Sequence, residues 1–246
     1  MSSTKRNSPF MYRTWVGTLC CMLAMTIHAG CGGSSGGDGS GTGGDPIAYA
    51  ALGASDVVGV GATPLTNGYV YLLRDSLENE TGKSVDLENL GIPGAQINQI
   101  KNIEVEILKR SAQPDLVTVS TGANDLVAGD TVRSFESGLG GVLSELRGIS
   151  PSAIIAISNL PDLTKLPRFQ EKPDRDVTES RVRAFNAAIA RQAARYNAVL
   201  VDLYSVPLQD SFVNEIDGFH PSDAGHRAIA NAFLSALQPY ISSLSN

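Results

Sequence analysis

The chain has 246 residues, 42% of them apolar and 18% charged, which is enough for one sizeable hydrophobic core and ordinary for a soluble globular protein. Three of its 19 basic side chains, Lys5, Arg6 and Arg13, lie in the first 31 residues, where there is no acid; the remainder carries 16 bases against 25 acids, a net −9. Nucleic acid and anionic phospholipid surfaces both demand basic patches, so neither is expected as the primary partner.

Residues 1–14 are basic and polar, and Trp15–Ile27 is an apolar run of 13 residues, the length of a signal-peptide core and too short to cross a membrane. Ala29 and Gly30 then precede Cys31. This resembles a bacterial lipoprotein signal, in which the cysteine after a small residue is lipidated and becomes the mature N-terminus. His28 departs from the aliphatic residue that the pattern prefers, and ordinary secretory cleavage near Ala29 is the alternative. Residues 1–30 are thus read as a signal peptide, and 31–46, mostly Gly with Ser, Asp and Thr, as a flexible linker spanning roughly 20 Å. Either route takes the mature protein out of the cytoplasm, as a membrane-anchored lipoprotein or as a secreted or periplasmic protein. Membrane contact is expected only through a lipid on Cys31. Within the linker, Gly32-Gly33-Ser34-Ser35-Gly36 spells the G-x-S-x-G elbow of serine hydrolases, but no strand precedes it and no helix follows, so it carries no weight.

From residue 47 onward short apolar runs alternate with amphipathic segments. Strands are predicted at Ile47–Leu52, Ser84–Leu90, Asp115–Val119, Ala153–Ile157 and Ala198–Leu203. Between them, helical spacing is carried by Leu65–Leu77, by Gln96–Arg110 with Ile100, Ile103 and Ile107 on one face, and by a segment from Val132 to Leu146. Two further helices are expected over Thr178–Tyr196 and about Ser222–Ile241, the latter with Ser222 as N-cap. Arg181, Arg183, Arg191 and Arg195 read as a solvated helix face rather than a basic patch. Five strands alternating with five helices predict one α/β domain over 47–246. The expected form is a three-layer α/β/α sandwich with a parallel sheet, flavodoxin-like, in strand order 2-1-3-4-5. Ligands in such sheets bind beyond the carboxyl ends of the strands.

Cys20, Cys21 and Cys31 all precede the domain, which excludes a disulfide framework and a cysteine-based metal site within it. No metal and no cofactor is expected. Any imidazole chemistry must use His220 or His226. Four short segments follow predicted strands: Gly53-Ala54-Ser55-Asp56, Gly91-Ile92-Pro93-Gly94, Gly122-Ala123-Asn124-Asp125 and, before the last helix, Asp217-Gly218-Phe219-His220. A serine hydroxyl becomes a useful nucleophile when a base takes its proton, and imidazole suits that task because it titrates near neutrality. Asp217 can accept from the ring N–H and leave the other nitrogen free for Ser55. The Ser55 and Gly94 backbone N–H groups and the Asn124 side chain can serve as donors to an oxyanion; Gly91 is the alternative to Gly94. His226, one turn inside a helix, reads as packing or capping support, and Asp56 and Asp125 as partners of loop backbone.

These four blocks, in order and at their spacing over residues 47–241, resemble those of the SGNH hydrolases, also known as GDSL lipases and esterases. The resemblance implies an esterase with a Ser-His-Asp mechanism: Ser55 as nucleophile, His220 as base, Asp217 as its orienter, and Ser55, Gly94 and Asn124 as the oxyanion hole. The first block departs from the family's name, reading Gly-Ala-Ser-Asp in place of Gly-Asp-Ser-Leu. The expected substrate is a small-molecule, lipid or acylated-sugar ester, with the loop Asn159–Asp176 and its Leu163, Leu166 and Phe169 as a substrate-covering segment or as simple packing. A competing reading is a non-catalytic, flavodoxin-like module that binds a ligand or nucleotide. The glycine-rich turn Gly59-Val60-Gly61 is its support, although that turn lacks a dinucleotide fingerprint's third glycine and a P-loop's lysine.

Overall fold

The computed structural model describes residues 45–111 and 113–245; the signal, Cys31 and most of the linker read from the sequence lie outside them. Strand β1 (Ile47–Gly53) runs through the middle of a five-stranded sheet. It pairs in parallel with β2 (Val85–Asn89) on one side and β3 (Leu116–Ser120) on the other. Beyond β3 come β4 (Ile154–Ser158) and the short edge strand β5 (Val199–Val201), again parallel, which gives the order β2-β1-β3-β4-β5 predicted above.

Five main helices cover the two faces. They are α1 (Tyr69–Thr81), α2 (97–108), α3 (Val132–Ile149), α4 (Glu179–Arg195) and α5 (Asp223–Leu237). Successive residues of β1 point to opposite faces, so Ala50 and Leu52 enter the core shared with α2, α3 and α4, while Tyr49 and Ala51 enter the one shared with α1 and α5. A strand buried on both faces needs an unbroken apolar run, which is what Ile47–Leu52 supplies. Aromatic pairs sit at the centre of each layer: Phe135 on Phe185 at 4.7 Å between ring centres, and Tyr69 on Phe233 at 5.2 Å. Each of these four rings is fully buried, and removing one phenylalanine ring costs about 3–5 kcal/mol.

Several boundaries differ from the sequence reading. Leu65–Asn67 forms a separate 3-10 turn, and extended Gly68 delays α1 to Tyr69. Pro239 lacks the N–H that an α-helix requires, so α5 stops at Leu237 and passes into the 3-10 turn Gln238–Tyr240. In α2 the inner face is Ile97, Ile100, Glu104, Val105 and Leu108, while Ile103 and Ile107 are each 42% exposed. An acid thus occupies an inward position that the apolar pattern assigns to isoleucine, within a π-turn over Ile100–Glu104. The arginines of α4 form a solvated face as expected, with Arg183, Arg191 and Arg195 exposed and Arg181 half-buried, and three of them also meet acids: Arg181 with Asp176, Arg183 with Glu179 and Arg191 with Glu136. The segment 159–176 is folded back on the body through a 3-10 turn at Leu163–Lys165 and a short helix at Pro167–Glu171. Leu163, Leu166 and Phe169 are all buried.

Candidate active site

Ser55 opens a one-turn helix, Ser55–Val58, immediately beyond β1. The chain can turn there because Gly53 adopts φ 143° against β3; a Cβ at that position would lie 2.1 Å from the Ser120 carbonyl oxygen. Only glycine fits both the conformation and the space. The turn is closed at its far end by Gly59 in the left-handed region, whose N–H donates to the carbonyls of Asp56 and Ser55.

Asp217 and His220 come from one loop that closes on itself. Val213 and Pro221 form an isolated antiparallel bridge, and the Asn214 N–H donates to the His220 carbonyl at 2.8 Å. Within the loop, Asp217 Oδ1 accepts from the N–H groups of Phe219 and His220 at 2.8 and 2.9 Å, while Oδ2 lies 2.6 Å from His220 Nδ1. Burial raises the Asp217 pKa, but the bonds from the His220 ring and from these two N–H groups outweigh it and hold the carboxyl below its ordinary value. An ionised carboxylate only accepts, so Nδ1 carries the proton and Nε2 is left with a lone pair. That nitrogen stands 2.9 Å from Ser55 Oγ, across 165 residues of sequence. A hydroxyl so placed can lose its proton as it attacks a carbonyl carbon.

Of the donors named for an oxyanion, Asn124 lines the same cleft and gives one of its amide hydrogens to the Ala95 carbonyl at 2.9 Å, which leaves the other free. The two glycines of the second block divide cleanly. The Gly91 N–H is taken by Asn89 Oδ1 at 3.1 Å, and a Cβ there would meet Val57 and the Ala54 carbonyl. Gly94 is exposed, has φ 80°, and donates to no backbone carbonyl among the described residues. Gly94 does not line the cavity described below.

The cleft continues into an apolar cavity of about 140 Å³, bounded by Leu160, Leu163 and Leu166 on one side and by Val206, Phe212 and Ile229 on another. Leu160 in this lining is anchored through its backbone. Asn186 on α4 accepts the Leu160 N–H and donates to the Leu160 carbonyl, both at 2.8 Å.

His226 takes no part in the cleft. It is fully buried on α5, accepts the Tyr69 N–H at Nδ1 (3.2 Å) and reaches the Val60 carbonyl through Nε2 (3.1 Å). Burial lowers its pKa, so it is a neutral packing histidine. It also accounts for part of the glycine-rich turn 59–61. There the Gly61 carbonyl accepts from Asn214, and a Cβ on Gly61 would lie 2.1 Å from the Pro221 carbonyl. The turn packs against the His220 loop, and its Gly59, Val60 and Ala62 N–H groups are taken by the carbonyls of Asp56, Ser55 and Gly59. Asp125 accepts the Ile97 N–H at 2.9 Å, as loop-backbone partners do. Asp56 does otherwise: its carboxylate accepts from the Ser120 hydroxyl on β3, which Ser158 on β4 contacts in turn. Glu104 is the residue that sequence reasoning missed. Buried on α2, it accepts the Gly53 N–H at 2.7 Å, and an isolated acid in an apolar stripe gives no sign of that partner. Among the described residues no group of three His, Cys, Asp or Glu side chains is placed to hold a metal ion.

The GDSL-like Lipase/Acylhydrolase family model matches residues 51–228, which takes in all four blocks. Solved structures with the same architecture include the psychrotrophic esterase EstA from Pseudoalteromonas sp., 17% identical, covering 79% of this chain and 98% of its own with a TM-score of 0.64. The family 3 carbohydrate esterase of Clostridium thermocellum is 18% identical, with 82% and 100% covered and a TM-score of 0.65. The lipase/acylhydrolase from Enterococcus faecalis is 21% identical, with 78% and 96% covered and a TM-score of 0.64. At these identities the likeness speaks for the fold. No curated protein matches the sequence.

Proposed function

The chain belongs to the GDSL-like lipase/acylhydrolase family and is a carboxylic ester hydrolase; within that family we propose that it cleaves esters of short apolar acids through an acyl-enzyme on Ser55. The observation that carries this reading is the 2.9 Å approach of His220 Nε2 to Ser55 Oγ, with Asp217 on the other ring nitrogen, at the mouth of an apolar cavity.

In the proposed reaction Ser55 Oγ bonds to the ester carbonyl carbon as its proton passes to His220 Nε2. The carbonyl oxygen becomes an oxyanion that the Ser55 and Gly94 N–H groups and the Asn124 amide receive. The tetrahedral carbon then expels the alcohol, which leaves with the proton held by His220. Water repeats the sequence on the acyl-enzyme and releases the acid. Asp217 stays ionised and steadies the imidazolium in both halves.

The cavity supplies the preference. A dry cavity of about 150 Å³ holds a benzene molecule, so a space of about 140 Å³ suits an acyl chain of about six carbons. A panel of p-nitrophenyl esters tests this: kcat/KM is expected to peak near that length and to fall for acyl groups twice as long. A flat profile would remove the cavity from the account. Ser55→Ala is expected to lower turnover by about 10⁴-fold or more with the melting temperature retained; wild-type-like hydrolysis by that variant would sink the assignment. EstA is described as inhibited by monoethylphosphonate, and a phosphonate of this kind is expected to modify Ser55 here, detectable by mass. We further propose export, with a lipid on Cys31 as the membrane tether. Cys31→Ala is expected to release the protein from the membrane fraction, and unchanged sedimentation with membranes would count against the anchor.

A further inference from the structure

Glu104 is fully buried on the inner face of α2, 51 residues from the group it binds. The edge of β1 that it meets has run out of strand. There the Ala51 carbonyl accepts from Leu90 and the Gly53 carbonyl from Ile92, as the chain leaving β2 turns away. The Gly53 N–H points to the same edge, and Glu104 Oε2 receives it at 2.7 Å. A side-chain carboxyl thus stands where a ladder carbonyl would stand within a sheet. Its other oxygen, Oε1, is buried with no partner among the described residues.

We propose that Glu104 is a positioning residue for the nucleophile turn: its buried carboxyl fixes the Gly53 N–H and thereby the place at which Ser55 stands relative to His220. This rests on the reading of Ser55 as the nucleophile. The physical case is one of constraint. Gly53 is held on its carbonyl side by Ile92 and pressed against Ser120 by its φ, and the Glu104 bond removes its remaining freedom. Ser55 follows two residues later, and its reach to His220 joins two segments that also meet beyond the turn, where Asn214 donates to the Gly61 carbonyl. A misplacement of about 1 Å at such a point costs about 10²-fold in rate.

The carboxyl acts as a neutral acid. Burial pushes it up to about 8, against the relief given by the Gly53 N–H, and the nearby charge of Asp56 pushes the same way. Asp56 is the acid that faces it; Lys101 on α2 and Lys109 just past its end are engaged with Glu145 on α3. Ionisation of Glu104 places a negative charge beneath the turn, beside the Asp56 carboxyl, and no salt bridge meets it among the described residues.

The test is steady-state hydrolysis of p-nitrophenyl butyrate by wild type, Glu104→Ala and Glu104→Gln between about pH 6 and 9.5, with melting temperatures over the same range. Glu104→Ala is expected to lose about 10- to 100-fold in kcat at neutral pH with KM nearly unchanged. Glu104→Gln keeps an acceptor for the Gly53 N–H, so its kcat is expected to return to within about threefold of wild type. It is also expected to lack the fall in kcat that wild type shows near pH 8. Should Glu104→Ala fail to fold, the Gln variant carries the test through its alkaline limb. A wild-type kcat in Glu104→Ala, a Gln variant as impaired as the Ala variant, or superimposable alkaline limbs would each overturn the proposal. If instead Ser55→Ala retains activity, the esterase assignment fails. The melting temperatures still report on Glu104, since the Gln variant must gain on wild type as pH rises from about 4.5 to about 8.

Discussion

Asp217 divides its two oxygens between different tasks, and the division decides what its loss does. Oδ1 ties down the N–H groups of Phe219 and His220, and Oδ2 orients the imidazole. An asparagine in its place would keep an acceptor for one task and present a donor to the other, turning the ring to the wrong tautomer. Asp217→Asn is therefore expected to lower kcat by about 10⁴-fold with KM and melting temperature little changed, measured by steady-state kinetics and calorimetry. An unaffected rate would mean that another group orients His220. The Asp-x-x-His spacing made this pair legible, because both residues belong to one turn and their relation is local. Asp56 was not legible in the same way. Its partner is the Ser120 hydroxyl, 64 residues away on a neighbouring strand, and nothing in the sequence around either residue records that meeting.

Glycines at strand ends look alike in a sequence and differ sharply in what they permit. Gly53 and Gly94 both have positive φ, but a Cβ on Gly53 would strike the Ser120 carbonyl and one on Gly94 would meet nothing within 4 Å. Gly94→Ala is expected to cost about 1 kcal/mol, the conformational penalty alone. Gly53→Ala must also displace β1 or β3, and a loss of about 4 kcal/mol or more is expected by chemical denaturation. Comparable stabilities for the two variants would show that β1 and β3 separate more easily than their contacts suggest. Elements themselves were largely legible, since strands buried on both faces and helices with one apolar face leave strong patterns. The exceptions have physical causes. In α2 a buried carboxyl with its own donor replaced an apolar residue. In 159–176 the three large apolar side chains are spaced by charged residues in no helical or strand rhythm, yet each finds the core through short turns.

For the molecule as a whole, the buried carboxyls set an unusual pH dependence. Burial raises Glu104 from 4.5 to about 8 and Asp125 from 3.8 to about 6, and raises Asp56 as well. Through those windows the folded state holds protons that the unfolded chain has released, so stability falls as pH rises. Asp217 and Asp202 are lowered, and their contribution is lost only as pH drops below the ordinary carboxyl range. Below about pH 6.5 the lowered pKa of buried His226 works the other way, because the unfolded imidazole takes up a proton before the folded one does. The melting temperature is therefore expected to decline from about pH 6.5 toward pH 8. A flat curve over that interval in a pH series of thermal melts would contradict the buried acids' assignment. The sheet order and the strand-end location of the four blocks were legible at this scale because alternating strands and helices admit few topologies. The 2.9 Å meeting of Ser55 with His220 was legible only as chemistry that required it. That meeting also has a consequence in time. A ribosome adds about 5–20 residues per second, so 165 residues separate the appearance of the two groups by about 10–30 s. On the proposed reading the nucleophile is made first and armed last, and a nascent chain that has not yet reached its final helix carries a serine no more reactive than any other.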